Sequence, residues 1–466
     1  MMTEKSSTVL NGCTPNEILG GLVKDVGYDQ SGDAGSGKSI LGAFDFVQDP
    51  STKKFLITQN DSTDTDTELR YLNGAVFTEI PAAQAAWGGH TEVNVDMETF
   101  IGHCFIVGHG TAGYLPVGSL TGTTFSTSAN VTDMPQAKFV EVYKYKVWTI
   151  NCRDGGTDYP GRVYKSSTPT AGAITWDDEW EDIDLQYALT GSHVIWDKIL
   201  FFTEHKTYYT DENITGTLFT NAGCVAHRTI LSKDDILYFG GRDGYYMSVG
   251  AGRPQKISGS IKRFYMAGDP STYFAERVDN QIYLHMGTIT VRDRVYSNLQ
   301  AVYNLDTQMW YVRELGRHND ASTQHTMTIY AKYLDSSTGD DRLYMGTDKG
   351  KIYNKSKHTD STIITSDDDL PIYSSFELAP FLTRPDKKKR AVEMVSFARQ
   401  GNGLRMFLRK KDDKSDLLTD YNFLGELTKY ENFFSTFSTS GSMLELKGEE
   451  VGSNEPWEYY GTSIGL

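Results

Sequence analysis

The sequence predicts an all-β fold, a β-propeller of about seven blades followed by a C-terminal β-sandwich, on three observations. A two-strand phrase recurs along most of the chain: a short apolar strand, a turn, then a second, often aromatic strand. "KILFFTEHKTYYT", "DILYFGGRDGYYMSV" and "RLYMGTDKGKIYN" are its clearest copies. The composition is that of β-structure, because 28 Tyr and 22 Phe suit a pleated, half-buried surface and 44 Gly supply turns. Only 13 Pro argue against a disordered, Pro-rich chain. Long amphipathic helical patterns are absent, "PAAQAAWGG" being too short to build a domain.

Residues 1–37 read as an N-terminal arm ending in a Gly-rich turn. Residues 38–370 then hold the repeats. Their apolar strands centre near Leu56, Ile106, Trp148, Leu200, Leu237, Tyr283 and Tyr344. Units of about 40–50 residues with four short strands each are the pattern of propeller blades. Six or eight blades are also compatible with the spacing. Turn signals fall at Arg242–Gly244, Leu72–Gly74 and Asp348–Gly350. A blade cannot bury both faces alone, so neighbours stack with aromatics between them and the ring closes to leave short edges. The N-terminal forty residues are placed to add a strand to the last blade and lock the ring.

After residue 370 the rhythm changes, and 371–466 read as a separate β-sandwich. This segment carries 13 Lys/Arg and 14 Asp/Glu, so nearly all of the net charge of −16 falls on residues 1–370. Phosphate binding needs clustered positive charge, so the acidic body does not read as a nucleic-acid grip. One basic stretch stands out in the sandwich: Arg384, Lys387, Lys388, Lys389, Arg390, Arg399, Arg405, Arg409, Lys410 and Lys411. It reads either as a solvated face guarding edge strands or as a docking face for an acidic partner or DNA.

No apolar run is long enough for a transmembrane helix, and "MMTEKSSTVLNG" has no apolar core of a secretion signal. Cys13, Cys104, Cys152 and Cys224 form no C-x-x-C pair, which fits synthesis in a reducing cytoplasm.

"SGDAGSGKS" matches the nucleotide-binding P-loop pattern through Gly32, Gly37, Lys38 and Ser39. That mechanism needs a buried strand before the loop and a helix after it. Here the entering residues "VKDVGYDQS" are polar, and "ILGAFDFVQDP" alternates as a strand does. The match is read as a decoy, and "VIWD" (Val194–Asp197) as half of a hairpin rather than a Walker-B strand. His90, His103 and His109 match no zinc spacing, and Asn60–Glu68 lacks the central Gly and closing Glu of a calcium loop. The carboxylates of "WDDEWEDID" suit a glycosidase in type, since such enzymes flank a sugar with two acids. "STPTAGAITWDD" (Ser167–Asp178) approaches the Asp-box turn of sialidases but lacks its Asp. No cofactor or metal is expected.

Laid end to end, the phrases resemble the propeller proteins of tailed-phage virions, the tail hub, nozzle or packaged-DNA stabilisation proteins. The most specific stretch is Ala222–Ile261, read as strand, "DG" turn, aromatic strand and a Lys-Ile-Ser ending. "GRVYKSSTPTAGAITWDD", "ALTGSHVIWDKILFFTEHKTYYTDE", the N-terminal "VGYDQSG…ILGAFDF" and the C-terminal "PIYSSFELAPFL…KKKRAVEMVSF" add to it. The resemblance implies a non-enzymatic virion component made in the host cytoplasm. Copies would form a ring, commonly six-fold, around the DNA channel, contacting portal or adaptor proteins and tail fibres. The ring would help retain packaged DNA and pass it on ejection without sequence-specific binding. A glycan-binding or glycan-cleaving propeller is the alternative expectation.

Overall fold

The structure is a computed structural model. It describes residues 31–355, apart from 50–51, 74–75, 177–178, 292–293, 316–324, 335–340 and a few single positions, and outside that range only the backbone of separate strands. The chain is all-β and forms a seven-bladed β-propeller. It divides into two compact units, Gln30–Gly287 with His325–Asn354, and Met1–Asp29, Thr288–Gln324 and Lys355–Leu466.

Blades one to five follow in chain order as antiparallel sheets whose inner strands are Ile40–Asp49, Asn94–Phe100, Gln136–Tyr143, Gly191–Ile195 and Leu231–Lys233. Blade six begins with Phe274–Val278 paired to Gln281–Val291, and its remaining hairpin, Arg294–Asn304 with Met309–Glu314, belongs to the second unit. Blade seven starts at Met327–Leu334, and its fourth strand is Tyr28–Asp33 from the N-terminal arm. The expected lock is therefore present. The Ala34 N–H donates to Gly350 O at 2.8 Å, and Lys351 Nζ meets Asp33 Oδ2 at 2.5 Å.

The seven apolar positions from Leu56 to Tyr344 all lie in the second strand of a blade, which is sandwiched between neighbours and buried on both faces. Alternation divides each such strand between two interfaces. Cys104 and Ile106 pack towards blade one with Leu56, Leu69 and Trp87, whereas Phe105 and Val107 pack towards blade three with Val140 and Tyr164. In blade four, Ile199 and Phe201 join Trp148 and Ile150 of blade three, while Leu200 and Phe202 join Leu237 and Phe239 of blade five. Tight turns link first to second strands at Lys144–Tyr145, Trp196–Asp197 and Asp234–Asp235, where both residues have positive φ. That is the two-residue hairpin geometry that matches strand twist. The "VIWD" sequence is such a hairpin.

The short helix Pro81–Ala86 has a use that its length conceals. It delivers Trp87, fully buried, between blades one and two, where its indole N–H donates to Pro116 O at 3.0 Å. Among the described residues no helix is long and apolar enough to cross a membrane. Cys104, Cys152 and Cys224 are buried free thiols. Of the basic stretch, Arg384, Lys387, Lys388 and Lys411 lie outside the described residues. Lys389, Arg390, Arg399, Arg405, Arg409 and Lys410 fall on strands whose side chains are not described.

Candidate functional site

The P-loop-like segment is a turn that feeds a strand. Gly35 and Gly37 have φ of +87° and +71°, and Ile40–Asp49 continues as the inner strand of blade one. Across from it, Gly350 approaches so closely that a Cβ there would lie 3.2 Å from Lys38 O and 3.4 Å from Gly37 N. Gly32, Gly37, Lys38 and Ser39 thus sit where the closing strand meets blade one, with no helix N-terminus to receive a phosphate.

The other sequence candidates do not converge. His103 bonds Thr121 Oγ1 at 2.7 Å, and His109 packs edge-on against Tyr114. Among the described residues no group of three His, Cys, Asp or Glu side chains is arranged to hold a metal. In the Asn60–Glu68 loop, Asp61 Oδ1 accepts the Thr65 N–H at 2.8 Å and the Asp66 N–H at 3.2 Å, so its oxygens serve the loop itself. The described carboxylates of "WDDEWEDID" belong to the outer edge of blade three. Asp182 pairs with Arg162 at 2.7 Å and Glu179 with Lys165 at 3.2 Å.

A different set of acids does meet. The inner strands of all seven blades, with the short 3-10 turn His227–Thr229 that precedes blade five's inner strand, enclose a cavity of about 210 Å³. Blade two presents Asp96 and Glu98, blade three Glu141, blade four Ser192 and His193, blade five His227 and Arg228, and blade six Glu276. These positions follow from alternation. Val95 and Met97 turn into the core and leave Asp96 and Glu98 for the cavity, as Val140 and Val142 leave Glu141.

Hydrogen bonds order one side of the wall. Asp96 Oδ2 accepts the Val140 N–H at 2.9 Å and lies 3.4 Å from His227 Nε2. The Ser192 N–H reaches His227 Nδ1 at 3.3 Å, which makes Nδ1 the acceptor and directs the Nε2 proton at Asp96. Arg228 donates to Leu41 O at 2.5 Å and Val95 O at 3.4 Å, so backbone carbonyls of blades one and two hold the cavity's guanidinium.

The other acids are poorly compensated. Burial, with the Asp96 charge adding to it, pushes Glu98 up to about 7 despite the Thr99 N–H. Glu141 rises well above the carboxylate range through burial, then through the charges of Glu98 and Asp96. Burial also lifts Glu276 to about 7, outweighing the Arg277 N–H and Lys332. His193 is driven down to about 4 by burial and by His227, and its Nε2 bonds Ser232 Oγ at 2.9 Å. The cavity therefore stores protons on carboxyl groups near neutral pH. Sequence inspection missed all four acids, although "NVDMETF" and "KFVEVY" carry the alternating pattern that would have shown them.

No family model matches the chain, and no curated protein matches it. Among solved structures, it is similar to the extracellular domain of a hybrid two-component system from B. thetaiotaomicron, at 11% identity and a TM-score of 0.45. That likeness covers 84% of this chain and 47% of the other, so the chain spans about half of that protein's length. An exo-β-1,3-galactanase from Phanerochaete chrysosporium is similar at 9% identity and a TM-score of 0.28, covering 80% of this chain and 95% of that one. Sqt1 from Chaetomium thermophilum is similar at 9% identity and a TM-score of 0.39, covering 72% and 100%.

Proposed function

We propose that this chain is a structural component of a phage tail or head–tail connector, assembling with copies of itself into a ring around the DNA channel. In that role it helps retain packaged DNA, attaches further tail parts and passes DNA on ejection. The observation that carries the reading is the Ala222–Ile261 segment. It is the stretch most like the virion propeller proteins, and its strands make up the whole of blade five. The acidic body supports a conduit to which DNA does not adhere. A cavity of about 210 Å³ admits a small molecule and no duplex, so in this reading DNA runs along a wall formed by several copies. A ring of this kind joins two different patches of each subunit. Immunogold labelling of purified virions tests the proposal: labelled neck or tail density is expected. A chain that stays monomeric and is absent from virions overturns it.

A glycan-processing propeller is the second reading, favoured by one observation. Glu98 and Glu276 hold their protons to about pH 7, as an acid that protonates a glycosidic oxygen must. Fluorogenic glycosides and a sugar array test it. Turnover lost in Glu98→Gln supports the reading, and inertness on both removes it.

A further inference from the structure

We propose that His285 makes the joint between blades six and seven acid-labile: protonation of its ring releases the strands Phe274–Val278 and Met327–Leu334 while blade three stays folded. This goes beyond the structural role and does not depend on it.

The surroundings of the ring carry the inference. His285 lies on the second strand of blade six, directly across from Phe274 on the first, and the two rings stack with centroids 4.6 Å apart. Blade seven covers them with Tyr330, whose ring stands edge-on to Phe274 at 4.9 Å and to His285 at 5.6 Å. The three side chains are 7%, 2% and 5% exposed for Phe274, His285 and Tyr330. The Tyr330 hydroxyl lies 3.3 Å from His285 Nδ1, and His285 Nε2 is buried without a hydrogen-bond partner.

A neutral imidazole tolerates this place and an imidazolium does not. The neutral ring has one N–H and one acceptor nitrogen, so a single partner leaves one polar atom unsatisfied. The protonated ring has two N–H donors and a charge. Its Nε2–H then points at no acceptor, and the charge is held away from water. The stacked Phe274 face attracts a cation, but burial outweighs that attraction and drives the histidine from 6.5 down to about 3.

Within this unit, the titratable groups on the strands packed around the ring are Glu276, Arg277, Tyr283, Tyr330 and Lys332. Glu276 is engaged by the Arg277 N–H and by Lys332, and burial alone sets the proton affinity of His285. His227 and Arg228 share the cavity wall with Phe274 and leave that affinity unchanged as well.

The sign follows from linkage. Opening the joint restores the ordinary affinity, so the open form takes up a proton below pH 6.5 and the closed form only below about pH 3. Acid therefore favours opening, about tenfold per pH unit between those limits and no further beneath them. Glu276 acts in the opposite sense down to pH 4.5 and then stops, because both forms hold its proton. His193, bonded to Ser232 of blade five and driven down to about 4, bears on the joint between blades four and five. From pH 4.5 to pH 3 the His285 effect amounts to about 15-fold.

The test is hydrogen–deuterium exchange of the full chain at pH 4.5 and pH 3, read by mass spectrometry and corrected for the intrinsic exchange rate at each pH. Peptides covering Phe274–Val278 and Met327–Leu334 are compared with Lys146–Asp154 of blade three. Protection of the first two is expected to fall about tenfold or more relative to the third. His285→Phe and, separately, His285→Gln cannot take up the proton and should lose this selective fall. Circular dichroism at pH 7 establishes which variants fold, and either one suffices for the comparison. Protection that falls equally in all three peptides of the parent overturns the proposal. So does a selective fall that persists in a folded His285 variant.

Discussion

Replacing Glu276 by Gln should convert a pH-dependent protein into a less pH-dependent one. The carboxyl accepts the Arg277 N–H at 2.8 Å and feels Lys332, yet burial dominates and lifts it from an ordinary 4.5 to about 7. Below pH 4.5 the group is protonated in both folded and unfolded chains, so it contributes no pH dependence. Between pH 4.5 and 7 the unfolded chain has released a proton that the folded chain still holds, and stability falls as pH rises. The slope is about 1.4 kcal/mol per pH unit, which over this window amounts to about 3 kcal/mol. Above pH 7 both states are ionised and the loss is constant. Gln keeps the shape and cannot ionise. The variant is expected to match the parent within about 1 kcal/mol at pH 4.5 and to exceed it by about 3 kcal/mol at pH 8. Urea unfolding followed by tryptophan fluorescence from pH 4.5 to 8 provides the comparison. Glu98 and Glu141 titrate in both proteins, so the informative quantity is the difference between the two stability curves. A difference that stays flat across this range would refute the claim that Glu276 is buried without adequate compensation.

Further tests address the core, the closure and the decoy motif. Trp87→Ala removes a fully buried indole between blades one and two and should cost about 3–5 kcal/mol in the same urea assay. Gly350→Ala places a Cβ 3.2 Å from Lys38 O at a residue with φ of +72°, so a loss of about 1–2 kcal/mol is expected, and an unchanged midpoint would contradict the close approach. Burial pushes the Cys152 thiol up to about 12 and that of Cys224 up to about 11, so iodoacetamide at pH 8 should label both only in denaturant, as read by peptide mass spectrometry. ATP with magnesium should leave the unfolding midpoint unchanged in the parent and in Lys38→Ala. ATP turnover abolished by that substitution would restore the P-loop reading.

What could be read from the sequence depended on how completely a strand is buried. Leu56, Ile106, Trp148, Leu200, Leu237, Tyr283 and Tyr344 stood out because both faces of their strands are covered, which leaves dense apolar runs. The inner strands were recognised only in part, as the alternating "ILGAFDFVQDP" of blade one and the "VIWD" hairpin of blade four. They face the cavity on one side, so Asp96, Glu98, Glu141 and Glu276 break up their apolar residues, and Leu231–Lys233 is only three residues long. The cavity acids were invisible for a second reason. Their chemistry arises from assembly around an axis, where residues 45 to 180 positions apart in the chain, such as Asp96 with Glu141 and Glu276, come to share one low-dielectric space. The P-loop match, read from the sequence as a decoy, presents the opposite case. Its letters are local, but the helix they require after Lys38 is replaced by the strand Ile40–Asp49, and the strand that enters the loop, Tyr28–Asp33, is the closing strand of blade seven.

The closing strand has a consequence for how the molecule is made. Asp33 and Lys351, joined across the last blade, stand 318 residues apart in the chain. A ribosome delivers the first partner early and the second near the end, with roughly 15–60 s of synthesis between them at usual rates. During that interval the strand Tyr28–Asp33 has no partner in blade seven, and the blades already made have no closed ring. Truncated products lack the partner altogether and keep an open sheet edge, which marks them for aggregation or proteolysis. Moving the chain ends to a surface turn between two other blades, by circular permutation, would make the closing hairpin local and let the last blade form as soon as it is synthesised.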